Sequence, residues 1–157
     1  MKRLLFVLLS FIFLSGPVAS QELVRIAAVV NDNVISMLDL LARIKMAALA
    51  AGMDDSPELR QQLVQPVLRN LIQEELQVQE ARRQGVTVAE EEVARGFKIV
   101  EQQNGLAPGQ LEEWLTSLGV PRIFFERQIR AEILWGKFVT NRLLPQVIVS
   151  EEDVEEE

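Results

Sequence analysis

The 157-residue sequence contains no histidine, no cysteine and no tyrosine. Without histidine and cysteine there is no Ser-His-Asp or Cys-His nucleophile. There is no zinc site built on those ligands, and no disulfide or iron–sulfur cluster. Carboxylates, lysine, serine and threonine are the only side chains left for chemistry, so no cofactor, no metal and no catalytic residue is expected. A cysteine-free chain is consistent with export to an oxidising compartment, where stray thiols would pair wrongly. Basic clusters are also missing. The formal net charge is −7, which leaves no footprint for nucleic acid and no polybasic stretch for an anionic membrane.

What is present is ordinary globular composition, with 48% hydrophobic and 25% charged residues. That is enough for one domain with a core of its own. The first twenty residues stand apart. Lys2 and Arg3 precede an apolar run from Leu4 to Leu14, Ser15-Gly16-Pro17 breaks it, and Val18-Ala19-Ser20 offers small residues to a signal peptidase. The run has the length of a signal-peptide core and is short for a membrane span. Cleavage is predicted between Ser20 and Gln21, with no stable membrane insertion afterwards. The body from 21 to 149 would then be the folded domain. Residues 150–157, with six acids among the last seven residues, form an acidic tail or the entry to a further domain.

Turn and cap chemistry divides the body. Residues 24–30 read as a buried strand, Asn31-Asp32-Asn33 as a turn, and Val34-Ile35 as the return strand of a hairpin. Ser36 and Asp39 form a capping-box start for a first helix over about 37–51, which Gly52 stops. Ser56 and Pro57 open a second helix reaching about Gln84, with Leu63, Val67, Leu68, Leu71, Ile72, Leu76 and Val78 on its buried side. A kink or break is expected at Pro66. Thr87 and Glu90 make a T-x-x-E box for a third helix to about Gln103. Pro108 opens a fourth, carrying Leu111, Trp114, Leu115 and Leu118. Pro121 opens a fifth that runs to about Leu143, ended by Pro145. Val147-Ile148-Val149 reads as a short extended segment. The fold class is mainly α: a bundle of about five helices packed orthogonally, with a short N-terminal hairpin and a short C-terminal strand.

The acidic pairs and triplets Glu74-Glu75, Glu90-Glu91-Glu92 and Glu112-Glu113 do not make an acid–base site, because consecutive helical residues point about 100° apart. Glu90 instead meets the positive end of a helix dipole. Asn31-Asp32-Asn33 lacks the glycine and the twelfth-position glutamate of a calcium loop. The aromatics of the body, Phe97, Trp114, Phe124, Phe125, Trp135 and Phe138, all fall in the third to fifth helices. At helical spacing such residues ordinarily fill a core. If some line a groove, they suit aromatic-rich peptides, and Phe97, Trp114 and Phe125 are the candidate peptide-binding residues.

Three stretches in register resemble the SurA-like periplasmic chaperone family. They are Ile26 to Ile35 followed by Asp39-Leu40, Leu68 to Gly85 continuing through Val86-Thr87-Val88 and Glu91, and Phe125 to Leu134. The resemblance covers residues 24–157. It implies the N-terminal helical domain of that family, a periplasmic location, and unfolded outer-membrane protein polypeptides as partners. Family members carry parvulin-type prolyl isomerase domains beyond this region. None maps onto this chain, so it is not expected to be an enzyme. Three readings follow: a chaperone module without catalysis, an N-terminal fragment of a peptidyl-prolyl isomerase, and a structural dimerisation module. The hairpin would leave an open strand edge for self-association.

Overall fold

A computed structural model of the chain describes residues 25–146. The leader with Ser20 and Gln21, the extended segment at 147–149 and the acidic tail lie outside the described residues. Strands β1 (Ile26–Val30) and β2 (Asn33–Ser36) form an antiparallel hairpin. Its turn is Asn31-Asp32, with Asn31 at φ 54°, a left-handed conformation that asparagine tolerates. Val29 faces Val34 and Val30 faces Asn33, and a one-residue irregularity falls between Ile26 and Ala28. Helices α1 (Met37–Ala50), α2 (Pro57–Arg83), α3 (Glu90–Gln103), α4 (Gln110–Ser117) and α5 (Arg122–Phe138) follow. The described residues therefore form a five-helix, mainly α fold with a small N-terminal hairpin.

Polar side chains anchor the hairpin. Gln79 of α2 donates to the Val30 carbonyl at 3.0 Å and accepts from the Asn31 amide at 2.7 Å, while Glu75 accepts from Asn33. Glu75 and Gln79 lie one turn apart on α2, so a single helix face holds both arms of the turn. Beneath this clamp, Val30, Ile35, Leu40, Ile44, Val67 and Leu71 form a first buried cluster. Val78, Ala81, Ala131, Leu134 and Phe138 form a second between α2 and α5. Ala42, Leu111, Leu115 and Val120 centre a third where α1 and α4 meet. Leu76, expected on the buried side of α2, is about half exposed. It lies about 140° around the helix from Leu71.

Three helix boundaries differ from the sequence expectations. Helix α2 runs without a break through Pro66 for 27 residues. The carbonyl orphaned by the missing N–H belongs to Gln62, an exposed residue whose carbonyl water can serve. Helix α3 starts two residues late. Its N-cap is Ala89, whose N–H donates to the Glu92 carboxylate at 2.8 Å. Glu92 also pairs with Lys137 of α5, and Lys137 donates to the Thr87 carbonyl at 2.7 Å. Ala89 has no side-chain acceptor, so in place of the Thr87–Glu90 box only one half of a box is made. It runs from the Ala89 N–H to Glu92, which the contact with α5 holds in place. The last helix is α-helical only to Phe138, then widens into a π turn over Val139–Leu143 and tightens into a 3₁₀ turn over Leu144–Gln146, where Pro145 sits.

Candidate functional site

The residues that build the site begin with a buried carboxylate. Glu101, near the end of α3, is 6% exposed and accepts from the Gly109 N–H at 2.7 Å and from the Leu111 N–H at 3.4 Å. It therefore satisfies two of the free donors at the start of α4, while the Gln110 N–H donates to the Ala107 carbonyl. Gly109 itself sits at φ 87°, a turn that only glycine makes without strain. Between them these two residues fix the direction of α4. Leu111 and Leu115 then point into the third cluster while Trp114 is left 41% exposed.

Trp114 stands on the wall of an open hollow of about 320 Å³ among α1, α3, α4 and α5. Across from it are Met46, Ala47 and Ala50 of α1, and Val100 closes the α3 side. Phe125 and Gln128 form the α5 side, and Arg43 and Asn104 stand at polar points of the wall. Ala47 and Ala50, the small side chains among the α1 residues of the wall, leave room beside the two aromatics. The structure thus brings Trp114 and Phe125 to one hollow. Phe97 is not on its wall. It is half-buried behind Phe125, ring edge to ring face, with centroids 5.3 Å apart and planes at 84°. The Arg122 guanidinium lies 5.0 Å from the centre of its ring. Arg122 also pairs with Glu112 at 2.8 Å, which ties α5 to α4 beside the aromatic pair.

Met46, Ala50, Val100 and Gln128 were not legible as wall residues. Their helical stripe was readable, but which stripe stays open depends on where α4 is set down. Arg43 carried no signal either. It forms a two-pronged pair with Glu74 of α2 at 2.8 and 2.9 Å, with both side chains largely buried.

Charged groups away from the hollow hold the frame. Hydrogen bonds from the Ala89 N–H, and then from Lys137, hold the Glu92 carboxyl below its usual range. The Arg130 guanidinium does the same for Glu90. Among the described residues no three acidic side chains gather to hold a metal ion, and no helix is long and apolar enough to cross a membrane. The hollow offers apolar surface, two aromatic rings and a few polar points. Such a surface can take up an apolar side chain.

The sequence profile of the SurA N-terminal domain matches residues 23–138. Chaperone SurA of Legionella pneumophila strain Paris is 29% identical over 141 residues, covering 87% of this chain and 32% of that protein. Chaperone SurA of Yersinia pestis bv. Antiqua strain Antiqua is 28% identical over 142 residues, with the same coverage. That of Methylococcus capsulatus strain Bath is 30% identical over 134 residues, covering 83% of this chain and 29% of that protein. The chain spans about a third of the length of these relatives. The domain match takes in the hairpin clamp, all five helices and the aromatic hollow, and the chain belongs to the SurA N-terminal domain family.

Proposed function

We propose that the chain is a periplasmic chaperone module that binds unfolded, aromatic-rich segments of outer-membrane proteins and does no catalysis. The carrying observation is the open hollow of about 320 Å³ with Trp114 half in solvent and Phe125 beside it, in a chain related to proteins named chaperone SurA. Burying one client aromatic, at 150–250 Å² and about 25 cal/mol per Å², gives about 4–6 kcal/mol before the costs of association. A contact of that size holds a client weakly and releases it without an energy source. Export through the leader ending at Ser20, with Gln21 as the mature N-terminus, places the module where such clients pass.

Suppression of aggregation of an unfolded outer-membrane protein tests this reading. Protection at stoichiometric amounts of chain is expected. No protection, together with dimerisation through the hairpin edge, would favour a structural module instead. Proline-limited refolding of a model protein tests the catalytic half. The isomerisation barrier is about 20 kcal/mol, and acceleration by substoichiometric chain would contradict the reading. A second reading, the N-terminal part of a longer prolyl isomerase, is favoured by the one-third coverage of the relatives. It keeps the same binding role for this domain.

A further inference from the structure

Phe125, Gln128, Glu132 and Trp135 recur at steps of three and four residues along α5, so they share one of its faces. Phe125 and Gln128 line the aromatic hollow. Glu132 and Trp135 line a second open hollow, of about 220 Å³, against α2. Arg43 stands in the wall of the first and Glu74 in the wall of the second, and these two side chains are bound to each other. The ion pair therefore spans the ground between the hollows. On α2 the second hollow presents three carboxamides, Asn70, Gln73 and Gln77. Gln79 is committed to the hairpin, whereas these three amides face the hollow and solvent.

We propose that the two hollows are the ends of a single track for one extended polypeptide segment, held by its backbone at Asn70, Gln73 and Gln77 and by an apolar side chain between Trp114 and Phe125. A carboxamide carries both donor and acceptor, so it can pair with the N–H and C=O of a peptide whatever that peptide's side chains are. Gln73 and Gln77 are about 6 Å apart along the helix, and alternate residues of an extended chain are about 6.6–6.8 Å apart. Ten steps of α5 from Phe125 to Trp135 cover about 15 Å, the length of four or five extended residues. The inference rests on the client-binding reading and deepens it. Backbone contacts explain how one surface takes many sequences, with the aromatic hollow adding a preference.

A ten-residue peptide with one aromatic residue, and its analogue N-methylated at alternate backbone positions on both sides of that residue, provide the test. Fluorescence anisotropy would measure binding of each to the full chain and to the Gln73→Ala/Gln77→Ala variant. Both substitutions are on the helix surface and favour helix, and a thermal melt checks the fold. Methylation is expected to weaken binding to the unsubstituted chain at least tenfold. The variant should bind the parent peptide as weakly, with methylation adding nothing further. Equal binding of the parent peptide by chain and variant would overturn the track, as would losses that simply add. If Trp114→Ala still weakens the peptide in that case, the client-binding reading stands without the track. No peptide binding by the unsubstituted chain would overturn both. Quenching of tryptophan fluorescence by a chito-oligosaccharide that is lost in Trp135→Ala, with no peptide effect of the amides, would assign the second hollow to a glycan instead.

Discussion

At the scale of single residues, Gly96 sets how near α3 comes to α5. A Cβ placed there would lie 2.5 Å from Cγ2 of Ile129, which is buried in α5. In an exposed helix, alanine is about 1 kcal/mol better than glycine. Here the sign reverses, and Gly96→Ala is expected to lower stability by about 1–3 kcal/mol, measured by urea unfolding. In combination with Ile129→Ala, the two losses should sum to less than their separate costs, because the smaller side chain makes room. A stabilised Gly96→Ala would mean that α3 and α5 do not touch at this point. Phe97→Ala should likewise cost about 3 kcal/mol of folding free energy, since its ring is packed edge-on against Phe125.

At the scale of elements, the hairpin is the part most dependent on side-chain hydrogen bonds, and Gln79 holds its turn. Gln79→Ala is expected to cost about 1 kcal/mol. Amide exchange should speed up in β1 and β2 and stay unchanged in α3 and α5. Uniform acceleration would show that the hairpin is not a separately opening unit. The hairpin and five helices were legible because their punctuation is local: Asn31-Asp32, the Ser36 and Ser56 caps, and glycines after helix ends. The start of α3 was not legible, because Glu92 is recruited by both the Ala89 N–H and Lys137, 45 residues away. The continuity of α2 through Pro66 was not legible for a related reason, since the cost of a proline there depends on whether Gln62 faces water. The hollow was half legible. Phe97, Trp114 and Phe125 have equal claims in the sequence. Only the placement of α4 by Glu101 and Gly109 separates a packed ring from an exposed one.

At the scale of the whole molecule, the charge inventory predicts how stability responds to pH. Glu90 and Glu92 are held below the ordinary carboxylate range by Arg130 and by the Ala89 N–H with Lys137. Asp55 and Glu80 are lowered by Arg60 and by Gln84 with Arg83. A depressed folded pKa gives stability that is present above the unfolded value of about 4 and is lost as pH falls through the folded one. Urea midpoints should therefore fall below about pH 4.5. They should stay flat from pH 8 to 6, because a chain without histidine or cysteine has no side chain that ordinarily titrates there. A midpoint that drops between pH 8 and 6 would contradict this. At this scale the hollow between Trp114 and Phe125 is the place that would receive client. The most direct test is the affinity of Trp114→Ala for an unfolded outer-membrane protein segment, measured beside its urea stability. Affinity is expected to fall about tenfold or more, with stability lowered by about 1–3 kcal/mol, because the side chain is 41% exposed and the rest of it is packed. Unchanged affinity in a stably folded variant would contradict it.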